Sequence, residues 1–412
     1  MIYDIKRCAI VPSELTVSLP ASKSISNRAL ILNALSRSGK EIHNLAKCDD
    51  TDVLVAALTS NGTHFDIGAA GTAMRFLTAY QCLQPGEWTI TGSERMKQRP
   101  IQVLVEALRR LGATIDYAGV EGFPPLKIKG HAMDGGEIEI DGGVSSQYIS
   151  ALLMIAPYLK NGLTLHLTGA VISRPYILMT LQLMAQFGVE AEWKDENTIQ
   201  IKPQDYKPIE YTVESDWSAS SYWYEIATFL PKNATRFTLS HLYEQSLQGD
   251  SQVRKIFEPL GIATIFTADG VVLEKIADSV SHYEYDFSGQ PDLAQTVVAT
   301  CCAIGTTFRF TGLKTLKIKE TDRIAALINE CRKLGYVLKE TGEGELSWNG
   351  ERVAPDDVPL IATYKDHRMA MAFAPIALQR DGQLQIDDPE VVSKSYPEYW
   401  KAVERVIECK NV

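Results

Sequence analysis

Three stretches of the chain alternate apolar and polar residues in nearly the same way. Gly86-Glu87-Trp88-Thr89-Ile90-Thr91-Gly92, Gly162-Leu163-Thr164-Leu165-His166-Leu167-Thr168-Gly169 and Gly305-Thr306-Thr307-Phe308-Arg309-Phe310-Thr311-Gly312 each predict a strand with one buried face. A polar loop and a helix follow each. A second pattern recurs at residues 57–62, 108–115, 184–191, 257–263 and 331–338: a helix that ends in Gly, then a short strand. Gly is the residue expected in left-handed backbone just past a helix end. The intervals between Gly62, Gly112, Gly188, Gly261 and Gly335 are 50, 76, 73 and 74 residues. Such fixed self-similarity predicts a repeated supersecondary unit of strands and helices. One more interval of about the same length reaches the chain end, so a sixth unit fits with its last strand missing. The N-terminal residues are available to supply that strand. Six units suggest two domains of three, and the interval of 50 implies a first unit short by a strand or hairpin.

Helix starts with reactive side chains fall between these elements. In Leu19-Pro20-Ala21-Ser22-Lys23-Ser24-Ile25-Ser26-Asn27-Arg28, a strand-like run (residues 14–19) meets a helical one (residues 29–35). Pro20 ends the strand, and Ser22 or Ser24 caps the helix. A helix N-terminus flanked by Lys23 and Arg28 suits phosphate or carboxylate. Comparable starts are Gly71-Thr72-Ala73-Met74-Arg75, Ser145-Ser146-Gln147-Tyr148, Ser173-Arg174-Pro175-Tyr176, Ser215-Asp216-Trp217-Ser218 and Gln290-Pro291-Asp292. Ser173 is expected to cap, with Pro175 near the first helical position. The densest are Lys319-Glu320-Thr321-Asp322-Arg323 and Lys365-Asp366-His367-Arg368-Met369. Glu320 and Arg323, at i and i+3, also read as an ordinary surface pair of small worth. Arg95 and Arg99 fit either a solvated basic turn or a site. His367 stands out because Asp-His-Arg precedes a wholly apolar helix.

Composition narrows the choice. The chain has 412 residues, 45% hydrophobic and 22% charged, as in a globular protein of two or three domains. No apolar run spans a membrane and no signal or transit pattern opens the chain, so a cytoplasmic location is expected. The seven cysteines lack CxxC spacing and read as reduced thiols rather than disulfides or a zinc site. A net charge of −10 argues against nucleic acid as the main partner. It does not exclude a small anionic substrate in a cationic cleft. No P-loop and no nucleophile elbow is present.

Eight motifs in order, LPASKSISNRA, GTAMR, RMKQRPI, SSQ, SRPY, KETDR, DHRMAM and SKSYP, resemble the 5-enolpyruvylshikimate-3-phosphate synthases from Leu19 to about Pro397. The resemblance implies an α/β fold of two domains, each of three βαβαββ repeats. This is the inside-out α/β barrel of the enolpyruvyl transferases, with the active site in the interdomain cleft. It implies a discontinuous domain (1–20 plus 215–412) with the phosphoenolpyruvate-side residues. Residues 21–214 would form the inserted domain with the shikimate 3-phosphate side and the shortened repeat.

The implied activity is transfer of the enolpyruvyl group of phosphoenolpyruvate to the 5-hydroxyl of shikimate 3-phosphate, releasing phosphate, in aromatic amino acid biosynthesis. Small-molecule substrates, no cofactor, no metal, no membrane partner and a monomer are expected. Shikimate 3-phosphate would be bound by Lys23, Ser24, Arg28, Ser145, Ser146, Gln147, Ser173, Tyr176, Asp292 and Lys319. Phosphoenolpyruvate would be bound by Lys23, Gly71, Arg95, Gln147, Arg323, Arg368 and Lys394. The addition–elimination chemistry needs an acid and a base set apart by their surroundings. Asp292, Glu320, Lys23 and His367 are the catalytic candidates, Asp292 for the hydroxyl and Glu320 for the methylene carbon.

Three features depart from the family pattern. Ala69 stands where an Asn is usual, so a hydrogen bond near phosphoenolpyruvate is expected to be lost. Thr315 replaces another common Asn on the shikimate side, and the segment 62–68 is short. The herbicide glyphosate competes with phosphoenolpyruvate in this family, and the small Gly71 is compatible with that. Two alternatives are a non-catalytic anion-binding homologue and the sister transferase acting on UDP-N-acetylglucosamine. The latter commonly has a loop Cys, whereas no Cys occurs here between Cys82 and Cys301.

Overall fold

The computed structural model describes residues 1–8, 11–37 and 39–411. The chain divides into two compact units, Met1–Pro20 with Glu214–Val412, and Ala21–Val213. Both are built of helices and small mixed sheets. In the Ala21–Val213 unit, one four-stranded sheet runs His64–Asp66, Gly86–Thr91, Leu126–Gly130, Thr114–Tyr117, and another runs Glu192–Trp193, Thr198–Ile201, Leu163–Thr168, Gly136–Asp141. A third has only two strands, Ile42–His43 and Tyr211–Thr212. The other unit holds three four-stranded sheets, and the chain start serves two of them. Ile2–Arg7 lies between Leu384–Asp387 and Ile407–Asn411, antiparallel to both. Glu14–Val17 pairs parallel to Arg236–Ser240.

The parallel pairs position the chemistry. His64–Asp66 leads into helix Gly71–Leu83 and returns as Gly86–Thr91. Gly136–Asp141 leads into helix Ser146–Ile155 and returns as Leu163–Thr168. His282–Asp286 leads into helix Ala294–Ile304 and returns as Thr307–Thr311. Leu360–Ile361 leads into helix His367–Phe373 and returns as Leu384–Asp387. A parallel return requires such a crossover, and each crossover sets a helix N-terminus just past a strand's carboxyl end. These helices are inside. Helix Trp217–Phe229 is buried at every residue but Ser218, and His367–Phe373 at every residue. Burying side chains such as Ile226 and Phe237, both 0% exposed, stabilises the unit by about 1.5–3 kcal/mol each. No helix among the described residues is long and apolar enough to cross a membrane.

Of the five glycines in the helix-end pattern, Gly112, Gly188, Gly261 and Gly335 have positive φ. Gly62 does not; its helix, Asp49–Thr59, ends instead at an extended Ser60. This helix passes directly to the next sheet, through the short 62–68 segment, with no hairpin of its own. That accounts for the two-stranded sheet.

Candidate active site

Within Ala21–Val213, Ser22 rather than Ser24 caps helix Lys23–Ser36, its hydroxyl accepting from the Ile25 N–H at 3.4 Å. In the first turn, the Lys23 ammonium reaches Asp50 Oδ2 at 3.1 Å. One turn on, Arg28 is 2% exposed. Its Nε donates to Thr180 Oγ1 (2.7 Å), Nη1 to the Ser24 carbonyl (3.0 Å) and Nη2 to Ser150 Oγ (3.1 Å). The guanidinium also lies 5.3 Å from the centre of the Phe76 ring. All of these partners are neutral. Burial draws the Arg28 pKa down to about 10, and nearby Tyr176 acts in the opposite direction. A buried cation held only by neutral groups favours an anionic ligand. The same bonds fasten helices Lys23–Ser36, Ser146–Ile155 and Arg174–Gln186 together, with Ser150 Oγ and Thr180 Oγ1 2.8 Å apart.

Ser145 caps helix Ser146–Ile155 by accepting from the Gln147 N–H. Gln147 Nε2 donates to Thr72 Oγ1 at 3.0 Å, which brings in the start of helix Gly71–Leu83. Ser173 departs from expectation. It takes left-handed backbone, φ 58°, and its hydroxyl makes no capping bond. The helix is started by backbone geometry and Pro175, which leaves the hydroxyl for other use. The basic turn resolves as well. Arg95 is exposed at the head of the short turn Met96–Gln98, whereas Arg99 is 9% exposed. A Cβ on Gly71 would stand 2.6 Å from Arg99 Nη1, so that guanidinium covers the helix start. Sequence reasoning left Arg99 out of the site. Ala69 is exposed in the turn before Gly71.

The other unit gathers a denser cluster. Asp292 Oδ1 accepts from Arg323 Nη1 at 2.9 Å and lies 3.4 Å from Lys319 Nζ; Oδ2 accepts from Arg368 Nη2 at 3.2 Å. Glu320 Oε2 accepts from Arg323 Nη2 at 3.0 Å and Oε1 from Lys394 Nζ at 2.8 Å. Arg323 is 2% exposed and also donates from Nε to Asp366 Oδ2 at 2.6 Å. The surface-pair reading of Glu320 and Arg323 is therefore wrong: Glu320 precedes helix Arg323–Lys333, and the arginine is buried among three carboxylates. Asp366 is fully buried, caps helix His367–Phe373 and accepts from the Arg368 N–H at 3.0 Å. His367 is buried beside it, with Nδ1 3.7 Å from Asp366 Oδ1. Burial works to raise the Asp292 pKa, but Lys319, Arg368 and Arg323 outweigh it and hold the carboxyl well below the usual range.

Asp250, which the sequence did not single out, belongs here too. It is buried, accepts from Ser218 Oγ, and is pushed up to about 6 by burial and by the charge of Asp292. A lone acid in a polar turn carries no sequence signal beyond Gly249 beside it. Thr315 Oγ1 is buried with no hydrogen-bond partner among the described residues.

Known proteins resemble the chain along its whole length. The family model for EPSP synthase (3-phosphoshikimate 1-carboxyvinyltransferase) matches residues 9–65 and 57–403. A 3-phosphoshikimate 1-carboxyvinyltransferase from Bacteroides fragilis is 56% identical over 391 residues, 94% of this chain and 95% of that one. Another, from Photobacterium damsela subsp. piscicida, is 36% identical over 423 residues, 95% of this chain and 96% of its own. The solved EPSP synthase of Acinetobacter baumannii has the same fold, with a TM-score of 0.79 at 18% identity, covering 100% of both chains.

Proposed function

The chain belongs to the EPSP synthase family, and from that footing we propose how its residues divide the work of the reaction. As a transferase it moves the enolpyruvyl group of phosphoenolpyruvate to the 5-hydroxyl of shikimate 3-phosphate and releases phosphate. Arg28 takes the shikimate carboxylate, the one counter-charge its neutral surroundings do not supply. Ser145, Ser146 and Ser173 hold the 3-phosphate with hydroxyls and helix-start N–H groups, beside Ser24, Gln147 and Tyr176. Phosphoenolpyruvate is held by Lys23, Gly71, Arg95, Gln147, Arg323, Arg368 and Lys394, and Arg99 joins them over Gly71. Lys319 serves both substrates.

The observation that carries this reading is Asp292, which holds Lys319, Arg323 and Arg368 at once. With those cations on it, Asp292 is a poor base. Anionic substrates compete for the same three cations. As they are drawn off, burial dominates, the Asp292 pKa rises, and the carboxylate becomes able to take the 5-hydroxyl proton. Glu320 gives up its contacts to Arg323 and Lys394 as phosphoenolpyruvate takes those cations, enters the reaction protonated, and protonates the methylene carbon while the 5-oxygen bonds to the adjacent carbon, giving the tetrahedral adduct. In the elimination, a proton returns from the methyl carbon to Glu320, and phosphate departs with the proton that Asp292 took, stabilised by Lys23. His367 supports this constellation from behind Asp366. The protein works in the cytoplasm, a reading that its seven free thiols, five of them buried, support.

Kinetics of two variants test the division. Arg28→Ala is expected to raise the KM for shikimate 3-phosphate at least about tenfold, the size of one charge-assisted contact. The KM for phosphoenolpyruvate should change little. Arg368→Ala is expected to do the reverse. The same KM rising in both variants would contradict the assignment.

A further inference from the structure

We propose that Glu330 and Tyr364 are positioning residues for Arg368: they lock residues 360–365 in the one shape that presents Asp366 and Arg368 to the cluster. The inference rests on the assignment of Arg368 to phosphoenolpyruvate made above. Glu330 is fully buried, two turns along helix Arg323–Lys333 from Arg323. Its Oε1 accepts from the Tyr364 hydroxyl at 2.7 Å, and its Oε2 from the Ala362 N–H at 3.0 Å and Lys333 Nζ at 2.6 Å. Lys333 Nζ also donates to the Leu360 carbonyl at 2.8 Å. One buried carboxylate thus grips the strap at 362 and 364 directly, and at 360 through a lysine.

The strap needs such a grip. Tyr364 and Lys365 are successive non-glycine residues in left-handed backbone, with φ of 55° and 57°. That conformation is unfavourable for L-residues and persists only where the surroundings over-determine it. The pair immediately precedes Asp366, which caps the Arg368 N–H and binds Arg323. Helix Arg323–Lys333 therefore holds the segment at two points: Arg323 on Asp366 and Glu330 on the strap. Tyr364 is 38% exposed, yet its hydroxyl is committed to an acid 34 residues away in sequence. Burial, then the bond to Glu330, pushes its pKa up to about 12, so the phenol remains a donor at neutral pH. Neither residue has a part in the proton transfers.

The test is phosphate-release kinetics of the full chain with each substrate varied separately, alongside thermal unfolding. Tyr364→Phe removes one hydroxyl from a partly exposed ring and should fold normally. It is expected to raise the KM for phosphoenolpyruvate by roughly three- to tenfold, about one hydrogen bond's worth. The KM for shikimate 3-phosphate should not move, and the thermal midpoint should fall by no more than a few degrees. Glu330→Gln should shift the same KM in the same direction. Adding Tyr364→Phe to Arg368→Ala should raise that KM by less than Tyr364→Phe does alone, since one of the groups being positioned is gone. Unchanged KM for phosphoenolpyruvate in both Tyr364→Phe and Glu330→Gln, with Arg368→Ala raising it, would overturn the inference. So would equal KM increases for both substrates with a lowered thermal midpoint. If Arg368→Ala itself leaves that KM unchanged, the assignment of Arg368 fails first and the inference with it.

Discussion

Asp292 and Asp250 face opposite electrostatic balances within one cluster. At Asp292 three cations outweigh burial, and the carboxyl titrates below its ordinary range. Its contribution to stability is present above the unfolded pKa of about 3.9 and is lost as pH falls through the lower folded value. At Asp250 burial wins, and the folded pKa is about 6. Its contribution is present below about pH 3.9 and is lost as pH rises towards 6. Urea unfolding from pH 3 to pH 7 should therefore separate the two variants. Asp292→Asn is expected to lose less stability on acidification than the unmodified chain. Asp250→Asn is expected to gain most relative to it near neutral pH. Parallel profiles for both variants would contradict this account of the charges. Residues of this kind were legible only where a motif announced them. Arg323 and Arg368 sit in dense polar runs at helix starts. Arg95 and Arg99 share one basic turn, and no periodicity says which is buried. The left-handed Ser173 and the clamp of Glu330 on Tyr364 depend on contacts across the fold, so no local pattern carries them.

Among the elements, helix His367–Phe373 shows most directly how a cap and a site are the same object. Asp366 closes the helix N-terminus and also neutralises buried Arg323. Losing a cap costs about 0.5–2 kcal/mol, and losing one of the three carboxylates on Arg323 costs about 1.5–3 kcal/mol. Asp366→Ala loses both, while Asp292 and Glu320 stay on Arg323, and should lower stability by at least about 2 kcal/mol in urea unfolding. Asp366→Asn keeps a capping oxygen and should lose less. Equal losses would show that the cap contributes little. The strands were readable where alternation is long: Gly86–Thr91, Leu163–Thr168 and Thr307–Thr311 lie within the stretches that predicted them. Ile42–His43 was not readable, because two residues cannot display a period.

For the chain as a whole, spacing carried more than any single motif. Glycines at near-equal intervals marked repeating units, and the short interval begins where helix Asp49–Thr59 runs into strand His64–Asp66 with no hairpin between them. The backbone bears this out at Gly112, Gly188, Gly261 and Gly335 and departs from it at Gly62. What spacing does not encode is pairing between distant segments. Glu14–Val17 meets Arg236–Ser240 only after the whole Ala21–Val213 unit has intervened. The most direct test of the central claim, that the Asp292 cluster carries out enolpyruvyl transfer, is phosphate release with each substrate omitted in turn. It should be run on the unmodified chain and on Asp292→Asn, with shikimate 3-phosphate binding followed by calorimetry. The expected result is release only when both substrates are present. In Asp292→Asn release should be slowed by about a hundredfold or more while binding is retained. Release at near-normal rate from Asp292→Asn would contradict the claim.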